Sequence, residues 1–424
     1  MEGFELEQER VLATYLIETP YSLEYAAAVM AGEQSTGTFV AVPGETDLIR
    51  ETFGAKVIRI QELEPAQAPT LPGVKLPRGD NKPLFRRGEV VLSFPYHNFG
   101  PSIPNLLAAV AGNLYELREF SGLRLMDLEL PAGFAKKYPG PQFGIEGTRK
   151  LANVYGRPLI GTIVKPSIGL SLDELRVLVR ELALAGLDFI KDDELNANPP
   201  YAPVQERAKV VMEEIERAAD KTGKKMMYAC NITGDIDELR KNHDAVVKAG
   251  GNCVMVSINS IGFAGVSYLR QCSEVPIHGH RNQWGAMTRC PMLGMEFRAY
   301  QKLCRLAGVD HLHCNGLNNK FFESNESVKR SVSDCLMPMF DGYKVMPVLS
   351  SGQWAGTALQ SYAEMQTVDV MHLAGGGIMA HPGGPAAGAA SMRQGWEAAL
   401  AGESLEDYAR NHLELAEAIE KFGK

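Results

Sequence analysis

The densest cluster of chemically capable side chains is the run Phe189-Ile190-Lys191-Asp192-Asp193-Glu194. At the end of a strand, alternate residues share a face, so Lys191 and Asp193 point the same way and Glu194 lies at the strand's mouth. Two neighbouring carboxylates suit a hard divalent cation, and Mg2+ favours an oxygen octahedron with positions left to water or substrate. An ammonium cannot join that set. A buried lysine that sheds its proton can react with CO2 to give a carbamate, which is an anionic oxygen ligand. A structural Lys–Asp ion pair fits the same spacing equally well.

These side chains need rigid elements beneath them. From about residue 155 onward, apolar runs recur at intervals of roughly 30 residues, the length of a strand–helix–strand unit. They are Leu159–Pro166, Phe189–Glu194, Met226–Thr233, Cys253–Ile258, Pro276–Arg281, His311–Asn315, Lys344–Ser351 and Val370–Gly376, eight in all. Helical patterns lie between them, the first opened by the capping box Ser171-Leu172-Asp173-Glu174 and stopped by Gly186. Others run through Pro203–Lys221, Asp235–Ala249, Met295–Ala307, Glu323–Ser333 and Thr357–Gln366. Parallel strands require crossover helices, so the fold class is α/β, with a (β/α)8 TIM barrel over 146–424 that ends in a helix at Ser404–Lys424. Residues 1–145 read as a smaller α+β, ferredoxin-like domain, with strands at Val11–Leu16, Val57–Gln61 and Glu89–Pro95 and helices at Ser22–Met30 and Ile103–Tyr115.

Composition sets the outer limits. The chain has 424 residues, 45% hydrophobic and 22% charged, with a net charge of −8. That balance is ordinary for a globular protein and poor for wrapping nucleic acid or coating an anionic membrane. No signal peptide is expected, and no apolar run approaches a membrane span. The seven cysteines form no C-x-x-C pair and read as reduced thiols of a cytoplasmic protein. His97, His243 and His412 read as solvated or locally satisfied, Lys136-Lys137 and Lys224-Lys225 as surface charge, and Trp284 as either pocket lining or core.

Gly186 to Glu194 resembles the activation-lysine motif of the RuBisCO large-subunit superfamily, and ordered matches extend along the whole chain. Gly161-Thr162-Ile163-Val164-Lys165-Pro166 resembles the strand-1 motif, and His278-Gly279-His280-Arg281 the strand-5 motif. His311-Leu312-His313 followed by Lys320 has the spacing of strand 6 and mobile loop 6. Ser350-Ser351-Gly352 and Gly375-Gly376-Gly377 resemble the phosphate-site turns. The resemblance implies that carbamylated Lys191, Asp193 and Glu194 hold Mg2+, which polarises a carbonyl and stabilises an enediolate. It also implies Lys165 as acid or base, His280 in proton transfer or hydroxyl binding, and Arg281 and His313 on an anionic end of the substrate. Ser350, Gly352, Gly375 and Gly376 would bind phosphate. Glu33, Thr38 and Asn113 match residues that complete the neighbouring subunit's site, so the implied assembly is a homodimer or an oligomer of dimers.

The departures are informative. CO2-fixing members carry Lys-Pro-Lys where this chain has Lys165-Pro166-Ser167, and a Trp where it has Phe39. The chain therefore looks like a RuBisCO-like (form IV) protein. The methionine-salvage branch, which enolises diketo-methylthiopentyl phosphate, has a basic lysine where Asn113 stands and generally lacks the loop-6 lysine. Asn113 and Lys320 point instead to the branch that decarboxylates 3-oxo-isoapionate 4-phosphate, or transfers its carboxyl group and hydrolyses it, in apiose and isoapionate catabolism. The methylthio-sugar-phosphate enolase or isomerase is the rival enzyme, and a non-catalytic regulatory protein is the remote one.

Overall fold

The computed structural model describes residues 9–37, 42–79 and 83–423. The strands in chain order are β1 (Arg10–Thr19), β2 (Lys56–Ala66), β3 (Phe85–Pro95), β4 (Gly122–Glu129), β5 (Leu159–Ile163), β6 (Phe189–Lys191), β7 (Met227–Asn231), β8 (Cys253–Ser257), β9 (Ile277–His280), β10 (Leu293–Met295), β11 (His311–His313), β12 (Met346–Leu349) and β13 (Met371–Leu373). They fall into two compact units. One is Met1–Pro139 with Gln283–Leu306, the other Gly140–Asn282 with Ala307–Lys424.

In the second unit, eight parallel strands close a barrel in the order β11-β12-β13-β5-β6-β7-β8-β9. Each apolar run expected from the sequence contains one of them. The period of two explains both the core and the site. Leu159, Phe189, Met227, Ala229, Cys253, Met255, Met346, Val348, Met371 and Leu373 form one buried cluster. Continuing those stripes by two residues leads to Lys191, Asn231, Ser350 and Gly375 at the carboxyl-terminal strand ends. Gly161 permits a close approach of β5 to β6, because a Cβ there would meet the Phe189 carbonyl oxygen at 2.7 Å. The capping box forms as expected, Ser171 accepting from the Glu174 N–H and the Glu174 carboxylate from the Ser171 N–H. The terminal segment is two helices rather than one, Leu405–Ala409 and Leu413–Phe422. His412 takes extended dihedrals (φ −135°, ψ 93°) and starts the second.

The first unit is a five-stranded sheet, order β10-β4-β1-β3-β2. β1 alternates: Val11, Ala13, Tyr15 and Ile17 are all fully buried. The Tyr15 hydroxyl donates to the Val110 carbonyl at 2.7 Å and ties the helix Ile103–Ala111 to the sheet. β4 and β10 were not expected. β10 is three residues long within 283–306, too short to show a period, and pairs in parallel with β4 (Leu293↔Leu123). Arg124 holds this insertion by donating to the Thr288 and Cys290 carbonyls and pairing with Glu296 at 2.7 Å. Trp284 also belongs here, packed on Tyr300 at 4.6 Å between centroids.

Asp310 staples the amino-terminal end of the barrel. Its buried carboxylate accepts from the N–H groups of Phe143 (2.6 Å), Gly144 (3.0 Å) and Ile277 (2.8 Å) and from Arg270 at 3.1 Å. Asp310→Ala would strand the buried Arg270 guanidinium. The expected loss is about 3–5 kcal/mol of unfolding free energy, measured by denaturant titration.

Candidate active site

β6 delivers Lys191 into the barrel, where it is 1% exposed. Its Nζ donates to the Asp192 carbonyl at 2.7 Å and lies 3.6 Å from Glu194 Oε2. Burial pushes the Lys191 pKa down, against the opposing pull of Glu194, Asp193 and Asp192. Asp193 Oδ2 accepts from Lys165 Nζ at 2.6 Å, and Lys165 also donates to Ser167 Oγ at 2.9 Å. Burial alone raises the Asp193 pKa, but the Lys165 contact and the Leu195 N–H outweigh it and the net shift is downward. For Glu194 the burial effect is likewise overcome, by His280 and Lys191.

Behind this run stands a network that the sequence reading missed. Asp192 is fully buried and faces away from the barrel interior. It accepts from Tyr228 Oη (2.8 and 2.9 Å), Arg207 Nε (3.1 Å) and the Asn231 N–H (2.8 Å). Asn231 Nδ2 in turn donates to the carbonyls of Asp193 (3.1 Å) and Glu194 (3.3 Å), fixing the backbone that aims both carboxylates. The signal was present: a buried acid just past a strand's end, alternating with Lys191 and Asp193, faces the helix layer and needs a cation there. Lys224, expected at the surface, is likewise committed, reaching Asp188 and the Gly186 carbonyl.

His280 Nε2 lies 3.5 Å from Glu194 Oε2, and its Nδ1 accepts from the Asn282 N–H at 3.2 Å. Burial first, then the Lys191 charge, lowers its pKa to about 4 against the pull of Glu194, so it is neutral at pH 7. His313 is neutral too, held down by burial, with Nδ1 3.1 Å from Ser350 Oγ and Nε2 2.8 Å from His278 Nε2. Arg281 pairs with Glu323 at 2.5 Å, a carboxylate absent from the sequence reading that also accepts from Asn315 and Ser327. Gly352 has φ +78°, and a Cβ there would sit 3.4 Å from the Lys320 nitrogen. Lys320 is exposed on the loop after β11, its N–H 3.4 Å from the Ser351 carbonyl oxygen. A Cβ on Gly375 would lie 3.7 Å from Lys165 Cε, whereas Gly376 opens onto free space. The structure thus brings Lys165, Lys191, Asp193, Glu194, His280 and Gly375 together, and links Lys320 to the Ser351–Gly352 turn.

In the first unit, Glu33 ends the helix Leu23–Glu33, and Asn113 opens a short 3-10 turn; both are exposed. Gln34 bridges their two elements when its amide nitrogen donates to the Ala108 and Ala109 carbonyls and its oxygen accepts from the Asn113 N–H. Thr38 and Phe39 lie outside the described residues.

Asp193 and Glu194 supply two anionic oxygens. Among the described residues, no three His, Cys, Asp or Glu side chains gather as a metal-ligand group. A third anionic ligand would have to come from Lys191. Carbamate formation joins Nζ to CO2 and releases one proton, and the burial that lowers the Lys191 pKa favours the free amine it needs. With that change the set fits a hard, oxygen-seeking cation such as Mg2+. Among the described residues, no helix is long and apolar enough to cross a membrane.

The model of the ribulose bisphosphate carboxylase large chain matches in both parts, the N-terminal domain over residues 2–134 and the catalytic domain over 144–422. A 3-oxo-isoapionate-4-phosphate transcarboxylase/hydrolase from Xanthobacter autotrophicus is 50% identical over 97% of this chain and 99% of its own. A 3-oxo-isoapionate-4-phosphate decarboxylase from Rhizobium etli is 46% identical over 97% and 98%. The crystal structure of a RuBisCO-like protein from Burkholderia fungorum superposes with a TM-score of 0.90 at 46% identity, covering 97% of this chain and 99% of that one.

Two outcomes follow from this geometry. Protein equilibrated with 13CO2 and Mg2+ should show one carbamate 13C resonance that is missing from Lys191→Met; a resonance unchanged in the variant would assign it elsewhere. The buried histidines also make stability acid-sensitive. The pKa values of His280 (about 4), His311 (about 3) and His372 (about 3) lie below their unfolded value, and those of His278 and His313 well below it. As pH falls from about 6.5 the unfolded chain takes protons that the folded chain refuses, so unfolding free energy should drop by up to ~1.4 kcal/mol per pH unit for each histidine. The His280 contribution ends near pH 4 and those of His311 and His372 near pH 3. Denaturant titrations at pH 7, 6 and 5 measure the slope.

Proposed function

The chain belongs to the RuBisCO large-chain family, and within it we propose a Mg2+-dependent enzyme that acts on a phosphorylated β-keto sugar acid. The substrate is 3-oxo-isoapionate 4-phosphate. The reaction is decarboxylation, or carboxyl transfer followed by hydrolysis. The observation that carries the reading is Lys320, an exposed cation whose backbone is tethered to the Ser351–Gly352 turn. The two relatives named for these outcomes support it.

Mg2+ held by carbamylated Lys191, Asp193 and Glu194 would supply Lewis-acid polarisation of the keto oxygen. The protein's own groups do the rest. Backbone N–H groups at Gly352 and Gly375 receive the phosphate without side-chain interference. Lys320 grips the carboxylate. When the carbon–carbon bond to that carboxylate breaks, its electron pair passes into the former keto group. Lys165, an ammonium oriented by Asp193 and Ser167, returns a proton to carbon. The strand-1 motif ends in Ser167 rather than a second lysine, so that motif offers one amine for the step. A two-fold homodimer, with Glu33, Thr38 and Asn113 completing the neighbour's site, is part of the same reading.

Lys320→Ala separates carboxylate binding from proton chemistry. Loss of one charge-assisted contact in a closed site commonly costs roughly 10²–10³ in rate. CO2 release from 3-oxo-isoapionate 4-phosphate should fall by that factor, while deuterium exchange into a decarboxylated analogue should hardly change. Equal losses in both would reduce Lys320 to loop closure. Glycolate and phosphoglycerate in place of CO2 would identify the transfer–hydrolysis outcome.

A further inference from the structure

Three buried histidines form a hydrogen-bonded column inside the barrel. His311 Nε2 lies 2.8 Å from Thr148 Oγ1, and His311 Nδ1 lies 3.3 Å from His278 Nδ1. His278 Nε2 lies 2.8 Å from His313 Nε2, and His313 Nδ1 lies 3.1 Å from Ser350 Oγ. Every ring nitrogen of the column is engaged, and His278 and His311 are fully buried. Burial holds all three rings neutral, with pKa values below the ordinary histidine range. Each ring therefore carries one N–H and one bare nitrogen, and each link holds one proton.

The direction of the whole column follows from its lower end. Thr148 is inside the helix Gly144–Ala152 and donates its hydroxyl proton back to the Gly144 carbonyl, four residues earlier. A carbonyl can only accept, so that proton is committed and Thr148 Oγ1 faces His311 as an acceptor. His311 must then carry its proton on Nε2 and accept at Nδ1. His278 consequently donates from Nδ1 and accepts at Nε2. His313 donates from Nε2 and accepts at Nδ1 from the Ser350 hydroxyl.

We propose that Thr148 is a positioning residue that locks the tautomers of His311, His278 and His313, and so sets the hydrogen-bond polarity of Ser350 at the opposite end of the column. Ser350 spends its only proton on His313 and meets the barrel mouth with lone pairs. It suits a ligand hydroxyl or ammonium and repels a phosphate oxygen, so phosphate binding rests on the glycine N–H groups. The column does not conduct. A proton entering at Ser350 would have to leave through Thr148, whose one outlet is the Gly144 carbonyl.

The lock stands whether or not the substrate proposed above is correct, and its test uses no substrate. The full-length protein is labelled with [15N]histidine, and long-range 1H–15N correlations distinguish Nδ1–H from Nε2–H rings; single His→Gln variants assign them. His311 and His313 should be Nε2–H and His278 Nδ1–H. A His278 Nε2–H tautomer, or an imidazolium at any of the three near pH 7, would overturn the proposal. In Thr148→Val the acceptor is gone, and a buried orphan N–H is disfavoured more than a bare ring nitrogen. The pattern should invert, to Nδ1–H at His311 and His313 and Nε2–H at His278. Thr148→Ser should restore the wild-type pattern. Wild-type tautomers in Thr148→Val would remove Thr148 from control of the column.

Discussion

The site is organised around the desolvation of one amine. An ammonium taken out of water is costly, and Lys191 at 1% exposure has no direct ion pair shorter than its 3.6 Å approach to Glu194. Its nearest polar contact is a backbone carbonyl. That arrangement is poor for a structural ion pair and well suited to an amine that must shed its proton. The carboxylates that would have neutralised it are held elsewhere, Asp193 by Lys165 and Asp192 by Arg207.

Holding them there takes a second layer. Arg207 is fully buried, with its charge met by Asp192 and its remaining donors by the carbonyls of Ala197, Ala202 and Asn231. Desolvation pulls its pKa down, but Asp192, Cys230 and Tyr228 together overcome that and drive it up. Removing either partner would leave an uncompensated charge between barrel and helix, so the pair constrains the backbone from Asp192 to Glu194 more firmly than a surface bridge could. Neutral histidines complement this. They fill the barrel interior beside Lys191 with polar groups that add no charge, and the field at the amine is left to the carboxylates and Lys165.

Much of this was legible in the sequence. The eight apolar runs fall on the eight barrel strands because parallel strands buried on both faces read as short continuous hydrophobic stretches. The capping box at Ser171 is a local device and forms as written. Lys191, Asp193 and Glu194 stand together because strand alternation and strand ends are properties of sequence spacing, and Lys165 joins them from the end of β5, which pairs with β6. Less visible were β4, whose polar and apolar residues mix, and β10, whose three residues pair with a strand about 170 positions away, beyond the reach of local periodicity.

The sequence by itself determined the barrel, its strand order in the chain and the residue types at each strand end, since these depend on period, capping and turn chemistry within a few tens of residues. Only the tertiary structure decided which of those groups meet. Arg281 faces Glu323, 42 positions on; Asp192 meets Arg207 and Tyr228; and Thr148 reaches His311, 163 positions away. The reason is that a buried charge or hydroxyl takes whichever partner the closed barrel places within about 3 Å, the range of a hydrogen bond. Closure is a long-range property that spacing along the chain does not encode.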